Sequence, residues 1–333
     1  MNTQKQPRVA IFGGGSWPTA LAKIVMHNVD SINWYMRRQD QIDQFKVQGR
    51  NPDYLTGTKF DVSRINFTSD INAVVRDSDV LIMAVPSPFL KLHLKKMHRS
   101  LKRKIIVSAI KGMVPEENMI VTDYLHLKYE VPMDQLGIIA GPCHAEEVAL
   151  ERLSYLTIGC TDINRAATLA KLFEAPYVKT TTSDDIIGLE YSSVMKNIYA
   201  IASGICYGLK YGDNFQSVLI SNAIQEIERF TNATNPLRRD IAHSAYLGDL
   251  LVTSYSKFSR NRQFGTMIGR GYSVKTAQLE MEMVAEGYYG TKCIHEFNER
   301  FRVNLPIVDA VYNIIYGFHS PTLEIQDLAG KLR

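Results

Sequence analysis

The stretch "RVAIFGGGSWPTALAKIV", residues 8–25, decides the fold class of this chain. Residues 8–14 predict a buried strand that ends in glycines, and residues 19–28 have the apolar spacing of a helix. The turn between them carries the first two glycines of the dinucleotide fingerprint G-x-G-x-x-G, as Gly13 and Gly15, with Pro18 at the third position. The stretch therefore predicts a strand, a glycine-rich turn and a helix.

This context favours a cofactor loop although the third glycine is missing. Gly13 permits the tight turn, and Gly15 lets the backbone approach a pyrophosphate, whose charge is favoured at a helix N-terminus. Pro18 falls in the first helical turn, where its fixed φ suits the helix and its missing N–H removes no intrahelical bond. We therefore predict that Gly13, Gly15, Ser16 and Trp17 bind a dinucleotide. The alternative is a purely structural strand-to-helix turn.

The unit of strand and helix repeats along the first half of the chain. Apolar runs predict further strands at 31–36, 65–69, 79–85, 104–110, 136–141, 154–160 and 177–182. Helical segments alternate with them, which predicts a mostly parallel sheet covered on both faces. After residue 183 the strand signal fades, and long segments show helical periodicity. We predict an α/β protein with a Rossmann-like dinucleotide-binding domain over residues 1–183 and an all-helical substrate-binding domain over 184–333.

Composition excludes several other classes of protein. The 333 residues are 45% hydrophobic, enough for two cores, and the net charge of +4 is spread along the chain, so we expect no nucleic-acid partner. The four cysteines form no C-x-x-C pair, and His144, His243 and His295 have no ligand-like spacing, so we expect neither a metal site nor a disulfide framework. The longest apolar runs are too short to span a bilayer, and we predict a cytoplasmic protein without stable membrane insertion.

One stretch, residues 91–104, is strongly basic. Leu90, Leu94, Met97 and Leu101 fall on one helical stripe, which predicts a helix that packs on the sheet and exposes a solvated basic face. A transient attraction to anionic membrane surfaces is the alternative.

Six short motifs are distributed over both halves of the chain: "AVPS" (84–87), "IKGM" (110–113), "GPCHAEEVA" (141–149), "SSVMKNIYA" (192–200), "LGDLLVTSYSKFSRNRQFG" (247–265) and "MVAEGYYGTK" (283–292). In this order and at these spacings they resemble the NAD(P)-dependent glycerol-3-phosphate dehydrogenase family, bacterial type. The resemblance implies an enzyme that interconverts dihydroxyacetone phosphate and sn-glycerol 3-phosphate by hydride transfer with NAD(P)H. It also implies a role in supplying glycerol 3-phosphate for phospholipid synthesis, and a homodimer would be usual for the family.

Two lysines are the first candidates for the catalytic site. Reduction of a ketone by hydride transfer creates an alkoxide that must be protonated, which a positioned lysine can do. In the resembled family the lysine of the "KN" motif donates and accepts this proton, which assigns the role to Lys196. Lys111 follows the predicted strand 104–110, where ligands of parallel sheets bind, and the resemblance implies that it contacts substrate and cofactor. Two ammonium groups in one cleft would lower each other's pKa.

Asp249 and Thr253 complete the predicted catalytic group. Asp249 can accept a hydrogen bond from a lysine ammonium or from a substrate hydroxyl, and Thr253 lies one helical turn further along. The alternative for Asp249 is a helix N-cap.

The segment "SRNR" predicts a phosphate pocket. Arg260 offers the planar fork of a guanidinium to a phosphate monoester, and the amide of Asn261 adds a neutral donor. We add Ser259 and Asn197 to this pocket; a solvated turn is the alternative. The resemblance further implies cofactor contacts from three residues, Arg260, Val284 and Glu286.

The motif "GPCHAEEVA" predicts a helix after the strand at 136–141. Gly141 and Cys143 are predicted to face the substrate, and Ala145 the cofactor. The resembled family usually has serine, threonine or asparagine at the position of Cys143. Because a thiol is a weaker donor, the sequence leaves open whether Cys143 contacts the substrate.

Cofactor choice depends on the end of the second strand, where an NAD-specific fold places an acidic residue for the adenine ribose. Here the strand at 31–36 continues into Arg37 and Arg38, whereas Asp30 precedes the strand and Asp40 follows the arginines. A guanidinium can pair with the 2′-phosphate of NADP. We therefore predict that NADP or NAD is bound and that NADPH is favoured; the alternative is a solvated pair of arginines.

Two other functions remain open from the sequence. A related 3-hydroxyacid or 6-phosphogluconate-type dehydrogenase would share the nucleotide-binding half and a catalytic lysine, but its acid substrate would require a carboxylate clamp. A redox sensor that binds the dinucleotide without turnover would leave Lys196, Asp249 and the "SRN" group unexplained.

Overall fold

The computed structural model describes residues 6–281 and 283–333. Within them the chain divides into two compact units. The first unit comprises the chain up to Val85 together with Phe89–Ile110 and Val121–Ile186, and the second comprises Pro86–Pro88, Lys111–Ile120 and Ile187–Arg333. Two short segments from the first half of the chain thus belong to the second unit. The boundary after residue 183 stays a prediction about separately folding domains.

Ten strands occur in the described residues, in chain order β1 (Val9–Phe12), β2 (Ile32–Tyr35), β3 (Ile65–Thr68), β4 (Val80–Met83), β5 (Ile105–Ser108), β6 (Met113–Val114), β7 (Met119–Ile120), β8 (Leu136–Ala140), β9 (Ser154–Cys160) and β10 (Val178–Ser183). Eight of them form one sheet in the first unit, in the order β10-β9-β8-β5-β4-β1-β2-β3. All neighbours in it run parallel except β8 and β9, which are antiparallel. The eight predicted strands are confirmed, and the short β6–β7 hairpin was not predicted.

The helices follow the strands in the expected alternation: α1 (Ser16–Val25), α2 (Gln39–Gln48), α3 (Ile71–Arg76), α4 (Ser87–Leu94), α5 (Val121–Tyr129), α6 (Ala145–Ala149) and α7 (Ile163–Ala170). The chain from α8 onward is helical, with α8 (Ile186–Gly208), α9 (Asp213–Thr234), α10 (Asp249–Tyr255), α11 (Arg260–Gly269), α12 (Val274–Glu280), α13 (Glu286–Asn298), α14 (Pro306–Ile315) and α15 (Pro321–Ala329). A Rossmann-like, mostly parallel sheet followed by a helical region confirms the predicted α/β class. No described helix is both long and apolar enough to cross a membrane.

The predicted helix over 91–104 is only partly right. Its four apolar positions are buried as expected, but the helix α4 ends at Leu94 and the chain continues in turns. Lys91, Lys95 and Arg99 follow one another at spacings of four residues. Like charges at this spacing destabilise a helix, and no acidic residue occurs between 86 and 105 to offset them.

An aromatic cluster in the first unit connects the core to the glycine-rich turn. Trp34 on β2 stacks on Phe67, with ring centroids 5.8 Å apart, and meets Phe45 and Phe60 edge-on. Its indole Nε1 donates a hydrogen bond of 2.7 Å to the carbonyl of Gly13. The packing of β2 therefore also fixes the turn that follows β1.

The helices α8 and α11 touch through their backbones in the second unit. A Cβ added to Gly204 would collide with the carbonyl oxygen of Arg262, and one added to Gly208 would lie 2.6 Å from the carbonyl oxygen of Thr266. The reciprocal glycine, Gly265, approaches the backbone of α8 equally closely. Glycine is therefore required at these positions for the two helices to pack as they do.

A buried carboxylate holds the start of α14. Glu226 on α9 accepts a hydrogen bond of 2.7 Å from the backbone N–H of Ile307 and one of 3.2 Å from the hydroxyl of Tyr199. Burial raises the pKa of Glu226 to about 8, although both hydrogen bonds favour its charged form. The side chain connects α8, α9 and α14 around the core of the second unit.

Candidate active site

Lys196 lies at the centre of the candidate site in the second unit. It is on α8 and is only 4% exposed, and its Nζ donates to Asp249 Oδ1. Asp249 begins α10 and is equally buried; its second oxygen, Oδ2, accepts from Lys111 Nζ at 3.4 Å. One carboxylate thus holds two ammonium groups. The π-helical turn Ser244–Gly248 runs directly into α10, so Asp249 lies inside a continuous helical segment and the alternative reading of it as an N-cap is wrong.

The environment of Lys196 makes its proton exchangeable near neutrality. Burial lowers the pKa of Lys196, the Asp249 carboxylate opposes that effect, and the Lys111 ammonium adds to the lowering, so that the pKa falls to about 7. A group with such a pKa exists in both protonation states at physiological pH, as general acid–base catalysis requires.

Two asparagine amides connect the segments around this lysine. Asn197 Nδ2 donates to the carbonyl of Lys111 at 2.8 Å, and Asn261 Nδ2 donates to Asn197 Oδ1 at 2.9 Å. The backbone N–H of Gly287 then donates to Asn261 Oδ1 at 2.9 Å. This chain of hydrogen bonds joins the segment 111–120 to α8, α11 and α13. Asn197 and Asn261 are the two amides predicted for a phosphate pocket, and these hydrogen bonds orient them.

The other polar residues of this group lie on α10 and at the start of α11. Ser259 caps α11, since its Oγ accepts from the N–H of Arg262 at 3.3 Å. Arg260 is the first residue of α11; its Nη1 lies 3.4 Å from Met283 Sδ, and no carboxylate of the described residues pairs with it. The hydroxyl of Thr253 donates to the carbonyl of Asp249 at 2.6 Å, which commits its proton to the backbone of α10.

Glu286, at the start of α13, is held by a residue that sequence analysis did not select. Its carboxylate accepts from the N–H of Ser87 at 2.8 Å and from the hydroxyl of Ser87 at 2.5 Å. Burial raises the pKa of Glu286, and the hydrogen bonds from Ser87 partly offset this. A Cβ at Gly112 would lie 2.5 Å from Glu286 Oε2. Ser87 and Gly112 belong to the motifs "AVPS" and "IKGM", and this membership was the only indication in the sequence that they lie near a functional site. Val284, nearby in sequence, is partly buried.

In the first unit, the structure of the glycine-rich turn explains how Pro18 fits where the fingerprint has its third glycine. Gly13 has φ +123°, and a Cβ there would lie 2.8 Å from Pro18 Cγ and 2.9 Å from the carbonyl oxygen of Ala84. The ring of Pro18 therefore packs against the space that Gly13 leaves. Gly15 caps α1, and a Cβ on it would have no neighbour closer than 3.9 Å within the chain. The open space beside Gly15, Ser16 and Trp17 at the start of α1 is suited to a bound pyrophosphate.

Two buried amides that sequence analysis missed fix the same turn. Gln41 Nε2 and Asn51 Nδ2 donate to the carbonyl of Gly14 at 2.9 Å and 3.0 Å. Asn51 also donates to the hydroxyl of Thr19 at 2.8 Å. Because these contacts cross 27 and 37 residues of sequence, no local pattern reveals them.

The two arginines after β2 differ in their surroundings. Arg38 forms ion pairs with Asp40 and, at 3.3 Å, with Asp53. Arg37 is exposed and has no ion pair with any described residue. Arg37 is therefore the cation available to an anionic group at the end of β2.

The predicted substrate-side motif after β8 also lies in the first unit. Gly141 has φ +106°, and a Cβ there would lie 2.8 Å from the carbonyl oxygen of Tyr155, so the turn requires glycine. Cys143 is partly buried in this turn, and the predicted helix after the strand is α6, which begins at Ala145. The structure thus groups Lys111, Lys196, Asn197, Asp249 and Asn261 by direct hydrogen bonds in the second unit, whereas the glycine-rich turn, Arg37, Arg38 and the motif after β8 belong to the first.

Known proteins resemble the chain over almost its full length. Residues 8–166 match the sequence model described as NAD-dependent glycerol-3-phosphate dehydrogenase N-terminus, and residues 185–326 match the corresponding C-terminus. The chain is 34% identical over 310 residues to glycerol-3-phosphate dehydrogenase [NAD(P)+] of Agathobacter rectalis, covering 93% of this chain and 91% of that one. It is 32% identical to the Bacillus subtilis protein of the same name, covering 97% and 94%. A crystal structure of glycerol-3-phosphate dehydrogenase from Coxiella burnetii superimposes with a TM-score of 0.89 at 26% identity, covering 97% of this chain and 99% of that one.

Proposed function

Because the chain belongs to the NAD-dependent glycerol-3-phosphate dehydrogenase family, we propose here how its own residues perform the family's reaction. The protein is an oxidoreductase that acts on a CH–OH group with NAD or NADP and interconverts sn-glycerol 3-phosphate and dihydroxyacetone phosphate. We further propose that it works in the cytoplasm as a homodimer and that its product supplies phospholipid synthesis.

The ion-paired group of Lys196, Asp249 and Lys111 is the observation that supports the proposed mechanism. In the reducing direction Lys196 Nζ gives a proton to the carbonyl oxygen of dihydroxyacetone phosphate, and in the oxidising direction it takes the proton back. Bound NAD(P)H supplies the hydride that reaches the carbonyl carbon. Asp249 orients Lys196, and the Lys111 ammonium helps to hold the pKa of Lys196 near 7. Thr253 supports the backbone of Asp249.

Arg260 is the residue that we assign to the substrate phosphate. It forms no ion pair with a carboxylate of the described residues, although its charge acts on Glu286, and it lies at the N-terminus of α11, where N–H groups also favour an anion. Asn261, Asn197 and Ser259 orient this end of the helix. By the same resemblance Gly141 and Cys143 contact the substrate, and Ala145, Val284 and Glu286 the cofactor.

The reaction is tested directly by cofactor oxidation. We expect the purified protein to oxidise NADPH or NADH, followed by absorbance, with dihydroxyacetone phosphate and not with a panel of 2-keto and 3-keto acids. Turnover of the acids instead would favour a 3-hydroxyacid or 6-phosphogluconate-type enzyme, and cofactor binding without any turnover would favour a redox sensor.

Arg37 carries the preference for NADPH that we propose. Arg38 is already paired with Asp40 and Asp53, whereas Arg37 is unpaired among the described residues and can approach a 2′-phosphate. Charge-assisted hydrogen bonds contribute about 1.5–3 kcal/mol. Arg37→Ala should therefore raise the Kd for NADPH by about tenfold to a hundredfold and leave that for NADH almost unchanged, as measured by fluorescence titration.

Arg38→Ala is the matched control for this experiment, since it removes a neighbouring guanidinium that internal carboxylates already neutralise. It should affect both cofactors alike. Equal losses of NADPH and NADH affinity in Arg37→Ala, or a wild-type protein that strongly prefers NADH, would contradict the assignment without affecting the catalytic proposal.

A further inference from the structure

The helix α8 places a serine between the two side chains that we assign to the substrate end of the site. At about 100° per residue, Ser193 lies roughly 60° from Lys196 and 40° from Asn197, one turn closer to the helix N-terminus. Residues three and four apart are neighbours on a helix surface, so Ser193 adjoins both side chains. Ser193 is 3% exposed.

The hydroxyl of Ser193 has no hydrogen-bond partner in the part of the chain that the structure describes. Other buried helical hydroxyls donate to the carbonyl four residues earlier, as Thr253 does to Asp249, Thr291 to Gly287 and Thr231 to Ile227. Ser193 forms no such hydrogen bond with the carbonyl of Leu189, so its hydroxyl is unpaired among the described residues. A buried hydroxyl without a hydrogen-bond partner costs free energy. A ligand that hydrogen-bonds to it removes this cost and therefore binds more tightly.

Two other buried serines, Ser192 and Ser254, also lack a partner among the described residues. Ser192 lies roughly 40° from Lys196 around α8 but roughly 140° from Asn197, toward Tyr199, whose hydroxyl donates to Glu226 on α9. Ser254 follows Asp249 by five residues and lies roughly 140° around α10 from it. Of the three, Ser193 is the one that lies between Lys196 and Asn197.

We propose that Ser193 Oγ hydrogen-bonds to the free hydroxyl group of the substrate, on the carbon next to the carbonyl. This inference rests on the proposed function. A three-carbon ketone phosphate has three polar groups; Lys196 takes the carbonyl oxygen and Arg260 the phosphate, which leaves the hydroxyl. Its oxygen is adjacent to the carbonyl, and Ser193 is adjacent to Lys196, about 4.5 Å along the helix axis. A serine hydroxyl can donate to or accept from that group.

The experiment compares dihydroxyacetone phosphate with hydroxyacetone phosphate, which has a methyl group in place of the free hydroxymethyl. The wild-type protein should prefer the former. In Ser193→Ala, kcat/KM for dihydroxyacetone phosphate should fall by about threefold to tenfold, as expected for a neutral hydrogen bond, and kcat/KM for the methyl analogue should not fall. Most of the change should be in KM, because the bond forms in both the ground state and the transition state. Ser193→Cys, whose thiol is slightly larger than the hydroxyl and a weak donor, should behave like Ser193→Ala.

Ser254→Ala is the matched control, since it removes another buried, unpartnered serine hydroxyl. Both alanine variants should keep or raise the melting temperature, but only Ser193→Ala should change the ratio of kcat/KM between the two ketones. The inference would be wrong if Ser193→Ala and Ser193→Cys left the ratio of kcat/KM between the two ketones unchanged. It would also be wrong if Ser192→Ala, and not Ser193→Ala, removed the preference for dihydroxyacetone phosphate. A wild-type protein that does not reduce dihydroxyacetone phosphate would overturn the proposed function itself, so the two failures are distinct.

Discussion

Replacement of Lys196 by alanine lowers kcat for the reduction of dihydroxyacetone phosphate by about a hundredfold to ten-thousandfold, the usual contribution of a general acid. Binding of NADPH remains, because the glycine-rich turn is held by contacts with Trp34, Gln41 and Asn51 rather than with Lys196. Lys196→Met, which fills the buried space without a charge, should lose the same activity. The measurement is single-turnover absorbance at saturating substrate, with cofactor affinity determined separately.

The pH profile gives an independent check of the same assignment. Reduction requires protonated Lys196, and the pKa of Lys196 is lowered to about 7, so kcat/KM for reduction should decrease as the pH rises through about 7. Oxidation of glycerol 3-phosphate requires the neutral amine and should increase over the same range. Both changes should be absent from the residual activity of Lys196→Ala. If that variant retains more than about a tenth of the wild-type rate, another group donates the proton.

Replacement of Arg260 by alanine weakens substrate binding by about tenfold to a hundredfold, because a charge-assisted contact with phosphate contributes about 1.5–3 kcal/mol. The variant should also lose most of the preference for dihydroxyacetone phosphate over dihydroxyacetone, as measured by the ratio of kcat/KM values. Its kcat with saturating substrate should change less than that of the Lys196 variants.

Arg262 provides the control on the same helix. Its guanidinium lies over the ring of Tyr207, 4.6 Å from the centroid, and is thus used within the protein. Arg262→Ala should keep the discrimination between the two ketones. Unchanged discrimination in Arg260→Ala would remove Arg260 from the phosphate pocket.

The sequence predicted the sheet well because buried parallel strands appear as continuous apolar runs, which β1 and β4 are. The hairpin of β6 and β7 was missed because strands of two residues have no measurable periodicity. The end of α4 at Leu94 was missed because apolar spacing alone does not register repulsion between successive basic residues.

Residues of the candidate site could be predicted where the chemistry requires a particular residue type. Residues whose role depends on contacts distant in sequence could not be predicted. The acid–base need pointed to Lys196 and a carboxylate partner, and the structure contains the ion pair with Asp249, although the catalytic roles stay predictions. Ser87 was not selected, because its contact with Glu286 spans 199 residues of sequence. The difference between Arg37 and Arg38 likewise depends on Asp53, which no local pattern connects to them.

The close approach of α8 and α11 has a consequence for how substrate selectivity can change during evolution. Lys196 lies on one helix and Arg260 begins the other, and glycines set the gap between the helices at direct backbone contact. The glycines fix the distance between the two helix backbones. A methyl group at Gly208 would lie 2.6 Å from the carbonyl oxygen of Thr266, and the helices would have to separate by about 1 Å to restore an ordinary contact distance. A change that increases the distance between the backbones carrying Lys196 and Arg260 therefore has to act through these glycines or bend one of the two helices.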